Sequence, residues 1–239
     1  MVISLQNVSV RLRDKEILQD ISFNIDDGKN LIILGKSGSG KTVLIKTMIG
    51  LFTPDKGQIR IDGINTSTGD KSAVNGVMQK ISMVFQNAAL IDSFTVFQNV
   101  ALPLYEREQH TDAEIHERVV KCLELVGLLN VLELYPSELS GGMRKRVGIA
   151  RALIYEPKYI IFDEPISGLD PVTADEILFY MSEIIRTQEI TTITITHDLQ
   201  NLKQIGDTIL FINDGRSTYY DSIERFSNSS DPAVKEFIR

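Results

Sequence analysis

GKSGSGKTVLIKTMIGL, residues 35–51, is the most informative stretch of the sequence. Three glycines and two serines stand ahead of a Lys-Thr pair, and an apolar pattern with helical spacing follows at once. The first eight residues match the phosphate-loop pattern G-x-x-x-x-G-K-[ST]. The preceding run LIIL, residues 31–34, is typical of a buried strand. The stretch therefore predicts a strand, a glycine-rich loop and a helix.

This loop predicts a phosphate site, and the alternative is a glycine-rich turn without a ligand. A helix N-terminus leaves backbone N–H groups unpaired and carries partial positive charge. Glycines let the backbone fold around a phosphate with no side chain in the way. Lys41 is expected to reach the β- and γ-phosphates of a nucleotide, and the Thr42 hydroxyl to bind Mg²⁺. The predicted nucleotide-binding residues of the loop are Gly35, Lys36, Ser37, Gly38, Ser39, Gly40, Lys41 and Thr42.

Composition limits the class of protein. The 239 residues are 43% hydrophobic and 24% charged, which is ordinary for a globular domain. A net charge of −7 argues against general binding to nucleic acid. Cys122 is the single cysteine, so no disulfide within the chain is possible and a reducing cytosol is expected. The first 16 residues lack the basic start and long apolar run typical of a signal peptide, and no run approaches 18 apolar residues, so any membrane role is expected to come through a partner.

Strands and helices alternate along the chain, which predicts an α/β fold with a mostly parallel sheet. The first 30 residues instead alternate in short β-like runs, and the stretch 95–155 reads as a helix-rich insertion. Helices are predicted at about 112–127, 140–156 and 170–188, strands at 158–165 and 190–198, and a hairpin at 207–221.

Two carboxylates follow the buried run YIIF, residues 159–162. Ligands of open α/β sheets bind at the carboxyl ends of the strands. Asp163 is therefore expected to hold Mg²⁺, and Glu164 to orient and polarise an attacking water. The alternative is a solvated strand end with no chemistry.

A third motif, LSGGM at residues 139–143, stands at the start of a predicted helix. Here the chain resembles the ATP-binding subunits of ABC transporters, whose signature is LSGGQ. The order of the motifs also matches, with Gln86 after an apolar strand, SGLD at residues 167–170 and His197 after a later strand. The resemblance covers nearly the whole chain.

The resemblance implies an ABC ATPase architecture in a single domain. It combines a P-loop NTPase (RecA-like) core, an N-terminal antiparallel β region and an inserted helical subdomain. The expected parts are a nucleotide-binding core at about 1–94 and 156–222, a helical signature subdomain at 95–155 and a tail at 223–239.

The resemblance also implies ATP hydrolysis, with ATP and Mg²⁺ as cofactors, in a head-to-tail homodimer. The signature of one subunit would close the ATP held by the phosphate loop of the other, and Asp170 would lie at the dimer seam. The implied catalytic residues are Glu164, His197 and Lys41. The signature residues implied to contact ATP are Ser140, Gly141 and Gly142, and the implied metal residues are Thr42, Gln86 and Asp163.

Two departures from the family pattern stand out. Position five of the signature is Met143 instead of glutamine. The family commonly stacks adenine on an aromatic near residue 12, whereas this chain has Leu12 between Arg11 and Arg13. Adenine contact is therefore expected to be apolar or through a guanidinium face.

Within the family, four stretches look like the MlaF subunits of Mla/MCE-type lipid transporters: residues 86–104, 135–153, 162–174 and 231–238. This implies an ATPase that drives phospholipid transport across a bacterial envelope from the cytoplasmic face of the inner membrane. The implied partners are an MlaE-like permease and an MCE-domain protein. The alternatives are an ABC ATPase of the division or mechanotransmission type, and a regulatory ATP-binding module without turnover. The complete set Lys41, Asp163, Glu164 and His197 argues against the regulatory module.

Three assignments stay open from sequence. Leu90, Ile91, Phe94, Val96 and Phe97 either line a groove for a permease helix or belong to the core of the insertion. The basic run 144–146 is either a solvated helix face or a contact to nucleotide or partner. The tail, 223–239, is either a disordered end or a clasp on the other subunit.

Overall fold

The computed structural model describes residues 2–68, 70–105, 110–197 and 204–238. The chain forms two compact units: unit 1 comprises residues 1–81 and 191–239, and unit 2 comprises residues 82–190. The division predicted from the sequence, with a helical subdomain at 95–155, stays a prediction. None of the helices in the described part of the chain is long and apolar enough to span a membrane.

Unit 1 contains an antiparallel sheet built from the alternating N-terminal runs. Its strand order is β2-β1-β4-β5, and β1 pairs antiparallel with β2 and with β4. One face buries apolar side chains such as Val8, Leu18 and Ile21, because alternate residues of a strand share a face. The strands are β1 (Ile3–Leu12), β2 (Lys15–Ile25), β4 (Lys56–Ile61) and β5 (Ile64–Asn65).

Unit 1 also contains strands of a second sheet, in the order β10-β9-β3-β8. β3 runs parallel to both β8 and β9, and β9 and β10 form the predicted hairpin. The side chains of β3 and β8 are almost all buried, as expected for a central parallel sheet. These strands are β3 (Asn30–Leu34), β8 (Thr191–Thr196), β9 (Thr208–Asn213) and β10 (Arg216–Tyr220).

The described residues of unit 1 include four helices, two of which lie in the tail. The described part of the tail is therefore ordered, because Phe226 and Val234 are fully buried. The reading as a disordered end is wrong for these residues, whereas a clasp on another subunit stays untested. The helices are α1 (Lys41–Met48), α2 (Lys71–Met78), α7 (Ile223–Ser227) and α8 (Pro232–Ile238).

Unit 2 holds two neighbouring strands and a helical group in which α3 and α4 pack on α5. Thr111 and Glu114 form a capping box at the start of α4, with each side chain satisfying the backbone N–H of the other residue. The predicted helices at 112, 140 and 170 are confirmed. The elements are β6 (Ile81–Val84), α3 (Val96–Tyr105), α4 (Asp112–Leu125), α5 (Gly141–Leu153), β7 (Tyr159–Asp163) and α6 (Pro171–Gln188).

Candidate nucleotide-binding and catalytic site

The phosphate loop joins β3 to α1, as predicted. Gly40 precedes α1 with φ 109° and ψ 0°, and no side chain caps the helix. The first turn of α1 carries no acidic residue. The N-terminal N–H groups of α1 are therefore left for a ligand or solvent, and the helix dipole favours an anion there.

Two glycines of the loop are required by close approach. A Cβ on Gly35 would lie 2.4 Å from the Ile212 carbonyl oxygen and 2.6 Å from Ser39 Oγ. A Cβ on Gly40 would lie 2.8 Å from Leu18 Cδ2, and its positive φ also disfavours other residues. The two glycines therefore let the loop pack closely against β9 and β2.

The polar groups of the loop fit a phosphate. Lys41 is only 9% exposed, and its Nζ donates to the carbonyl oxygens of Gly35 (2.6 Å) and Lys36 (3.2 Å). The Ser39 hydroxyl is buried and has no hydrogen-bond partner. An orphaned buried hydroxyl is costly unless something binds to it, so the loop suits a ligand rich in oxygen. Thr42, in the first turn of α1, is exposed and open to a metal ion.

His197 lies at the same edge of the sheet as the phosphate loop. Leu34 and Thr196 are paired in the parallel register of β3 and β8. Gly35 and His197 directly follow those paired residues, so both emerge at the carboxyl end of neighbouring strands. His197 is exposed. Unit 1 thus places His197 at the same sheet edge as the phosphate loop, which itself carries Lys41.

Unit 2 carries the predicted carboxylates. Asp163 ends β7, which is otherwise buried, and is half-buried itself. Glu164 has φ +49°, the left-handed region that costs a non-glycine residue roughly 1–2 kcal/mol. Such strain persists where the surroundings hold it, and it occurs often at functional sites.

Lys145 supplies that hold, a role that its place in the basic run 144–146 did not indicate. Its Nζ donates to the carbonyl oxygens of Glu164 (3.3 Å) and Ser167 (2.9 Å). Burial lowers the pKa of the Lys145 ammonium, and the nearby Glu164 carboxylate partly offsets this. Lys145 therefore fixes the backbone of the turn that follows β7.

Gln86 joins this turn from another element. Its Nε2 donates to Ser167 Oγ at 3.2 Å, while the side chain stays exposed. Gln86, the turn after β7 and the SGLD motif therefore lie together in unit 2. The assignment of Gln86 as a metal residue stays a prediction.

The signature forms the start of α5. Ser140 is the N-cap, and its Oγ accepts the Met143 N–H at 3.2 Å. A Cβ on Gly141 would meet only Leu169 Cδ2, at 3.6 Å, whereas a Cβ on Gly142 would lie 2.5 Å from Thr173 Cγ2. Gly141 is thus open to a ligand, and Gly142 has a packing requirement of its own.

Asp170 is the N-cap of α6 and accepts hydrogen bonds from Thr173 N (3.1 Å) and Thr173 Oγ1 (2.6 Å). The Thr173 hydroxyl and N–H lower the pKa of this carboxyl below its usual range. Asp170 therefore organises the start of α6. The predicted place at a dimer seam is a proposal that a single chain does not test.

The basic run 144–146 makes contacts within unit 2. Arg144 Nη1 donates to the Leu139 carbonyl at 2.7 Å. Arg146 stacks 5.3 Å above the Tyr180 ring and pairs with Glu176 at 3.3 Å. The idea of a solvated face is wrong for Lys145 and Arg146, which are half-buried, while Arg144 stays exposed.

The β1–β2 turn carries the residues expected near adenine. Leu12 is half-buried, and Arg11 and Arg13 are exposed. Asp55 accepts the Arg11 N–H at 2.6 Å, and Arg13 forms the turn with φ +54°. How adenine is held stays a prediction.

Comparison with known proteins assigns the family. The ABC transporter family model matches residues 18–167. The chain is 41% identical to the methionine import ATP-binding protein MetN of Haemophilus influenzae (strain 86-028NP), with 100% of this chain and 70% of that protein covered. It is 35% identical to the intermembrane phospholipid transport ATP-binding protein MlaF of Escherichia coli K12, with 99% and 88% covered.

A solved structure agrees in fold. The dimeric, post-hydrolysis structure of the ATP-binding cassette MJ0796 with ADP and phosphate superposes with a TM-score of 0.80 at 30% identity, covering 92% of this chain and 98% of that one. The chain belongs to the ABC transporter ATP-binding family, and it is the ATP-hydrolysing subunit of a transporter.

Proposed function

We propose that this chain is the ATPase subunit of a phospholipid transporter of the Mla/MCE type. The observation that carries the proposal is the extent of the match to MlaF, which takes in 99% of this chain and 88% of that protein. On this proposal the chain acts as a homodimer at the cytoplasmic face of the inner membrane. Its partners are an MlaE-like permease and an MCE-domain protein, and it neither spans the membrane nor binds nucleic acid.

The reaction follows from the chemistry of the predicted residues. The uncapped start of α1 and the glycine-rich loop bind the phosphates, and Lys41 neutralises charge that develops on the γ-phosphate. Thr42, Gln86 and Asp163 would supply the oxygen ligands that Mg²⁺ prefers. Glu164 orients the attacking water and accepts its proton, and His197 contacts the γ-phosphate.

The signature acts on the nucleotide of a second subunit. Ser140 and Gly141 stand at an exposed helix start, where N–H groups and the helix dipole favour phosphate oxygens. Closing two subunits head to tail would give each ATP a second set of donors. ATP then favours the closed dimer, and hydrolysis removes that preference.

A groove in unit 2 offers a docking place for the permease. It is lined by Met83, Phe85, Leu102, Pro103, Arg151 and Tyr155. Tyr155 donates its hydroxyl to the Pro103 carbonyl, and Arg151 binds the Ala88 and Ala89 carbonyls, so the walls are held in place. A helix from a membrane subunit with an apolar face suits such a groove.

The five residues predicted from the sequence to line this groove differ in burial. Val96 is fully buried and belongs to the core, whereas Ile91 is exposed and the other three are half-buried. Asn99 fixes the loop that carries them, because its buried amide bonds the backbone of Ile91 and Phe94. None of these five residues is among those that line the groove, so their contact with a permease helix stays a prediction.

Methionine import is a second candidate function. The identity to MetN, 41%, is higher than the identity to MlaF, although the MetN match extends over 70% of that protein. Because substrate choice lies in the membrane and external partners, the ATP chemistry is the same in both cases. The partner therefore decides between them.

Purification of the protein from its own detergent-solubilised membranes, with mass spectrometry of the co-purifying chains, tests the proposal. A multi-span permease together with an MCE-domain protein supports phospholipid transport. A permease with a methionine-binding protein overturns it in favour of import. A permease of the division or mechanotransmission type overturns both.

The catalytic assignment has its own test. Glu164→Gln is expected to lower ATP hydrolysis by about 10²–10⁴-fold, because the base that orients water is lost, while ATP binding stays. Phosphate release and nucleotide binding are measured on the same preparation. Glu117→Gln, the same change on an exposed residue of α4, is the matched control. Hydrolysis by Glu164→Gln at the rate of the unaltered protein would remove Glu164 from its role.

A further inference from the structure

The C-terminal helix α8 contacts the phosphate loop through one ion pair. Lys36 Nζ donates to Glu236 Oε1 at 2.6 Å, although the two residues are 200 positions apart in sequence. Lys36 is the second residue of the phosphate loop. Its side chain therefore points to the tail, while its carbonyl accepts a hydrogen bond from Lys41.

The position of Glu236 is set by packing. Phe237, the next residue, has its ring centroid 5.4 Å from that of Phe211 and 6.4 Å from that of Phe226. Val234 and Phe226 are fully buried. Because these contacts anchor α8, the backbone of Glu236 is held beside the loop, with its carboxylate within reach of Lys36.

The loop and α8 rest on consecutive residues of β9. Phe211 packs against α8, and the carbonyl of Ile212 lies against Gly35, where it would clash with any side chain. The ion pair between Lys36 and Glu236 closes this set of contacts. The tail and the loop are thus linked in two ways: both pack against β9, and the Lys36–Glu236 ion pair joins them directly.

The pair changes the charge that a nucleotide would meet. An ammonium in the loop is paired with a carboxylate, and the carboxylate itself repels a polyphosphate. Both side chains are more than half exposed, so the effect is modest and depends on salt. The Lys36 ammonium lowers the pKa of the Glu236 carboxyl, which keeps this charge in place at neutral pH.

We propose that Glu236 is a positioning residue that holds the Lys36 side chain away from the nucleotide, and so weakens the binding of highly charged nucleotides to the phosphate loop. The inference rests on the proposed role of that loop as the ATP site. The tail then tunes the affinity for ATP within its own subunit. Any partner that moves α8 would release Lys36 to the phosphates.

Nucleotide titration of the full chain tests this, with Mg·AMP-PNP and Mg·ADP as the probes. Glu236→Gln is expected to tighten AMP-PNP binding about 1.5- to 5-fold at low salt. The gain should be smaller for ADP, which carries less charge, and should vanish near 1 M salt, where the Debye length is about 3 Å. Glu224→Gln, the same change of charge on an exposed residue of α7, should leave both affinities unchanged.

A second variant tests whether Glu236 acts by holding Lys36 or by repelling the nucleotide with its own charge. In a Lys36→Met background, Glu236→Gln should no longer tighten AMP-PNP binding. Unchanged or weaker binding in Glu236→Gln would overturn the inference, and so would an equal gain in both backgrounds. If the unaltered protein binds AMP-PNP and Lys41→Ala does not, either of these results rejects only the role of Glu236 and leaves the phosphate loop as the ATP site. If the unaltered protein binds neither nucleotide, the proposed function fails as well.

Discussion

Two helices of this chain begin beside glycines and serines, and the two starts are built differently. α1 follows Gly40, whose backbone is left-handed, and no side chain caps it. α5 follows Ser140, whose hydroxyl accepts the Met143 N–H. The start of α1 leaves its backbone N–H donors to a ligand, whereas at the start of α5 the Met143 N–H already bonds to Ser140.

The difference is informative because side-chain caps are common elsewhere in this protein. Asp70, Thr111 and Asp170 cap α2, α4 and α6. Replacing such a cap with alanine costs about 1 kcal/mol, so an uncapped helix gives up stability. The uncapped start of α1 therefore leaves more of its N–H donors to a ligand than the start of α5 does.

The largest effect is expected from Lys41→Ala. The change removes a buried ammonium, and bonds to charged groups are worth enough to lower ATP affinity about 10- to 150-fold. Titration with ATP measures this. Lys46→Ala, in the exposed last turn of the same helix, is the control that should bind normally. Normal binding by Lys41→Ala would place the nucleotide elsewhere.

The two signature glycines should separate packing from binding. Gly142→Ala is expected to lower the free energy of unfolding by about 1–3 kcal/mol, since its Cβ would meet the Thr173 methyl group. Gly141→Ala has room and should fold normally, yet lower ATP hydrolysis by crowding the partner's nucleotide. Thermal unfolding and phosphate release measure the two effects.

Thr173→Ser sharpens this comparison, because it removes the methyl group and keeps the hydroxyl that donates to Asp170. The Gly142→Ala/Thr173→Ser variant should recover its stability. If the loss of stability persists, Thr173 is not the cause.

The smallest effect is expected from Ser140→Ala. Loss of the cap should lower stability by about 0.5–2 kcal/mol while ATP binding by α1 is unchanged. Ser140→Asn retains a capping side chain and should retain stability. In the monomeric protein, which lacks the partner's signature, a drop in ATP affinity in Ser140→Ala would contradict the division of roles between α1 and α5.

Local patterns predicted the fold well, since the strands and long helices follow strict periods of hydrophobicity. α2 was missed because its eight residues include Gly76 and Asn75, which have poor helix propensity, and the helix depends on the Asp70 cap. The motifs also named the candidate site, because loops that bind phosphate need glycines at fixed spacing.

Contacts between distant residues could not be predicted in this way. Lys145 appeared as one of three basic residues, and only the fold shows that it holds the turn after β7. The pair of Lys36 and Glu236 spans 200 positions. Residue type and spacing carry no information about such partners, which depend on how the elements pack.

On this account α1 and α5 of one chain act on different nucleotides. Sedimentation velocity in the presence of Mg·ATP measures whether this is so. In a Glu164→Gln background, where ATP is not consumed, the protein should sediment as a dimer. Adding Ser140→Arg should leave ATP bound to a monomer. Loss of ATP binding in that double variant, or a dimer as stable as before, would contradict the account.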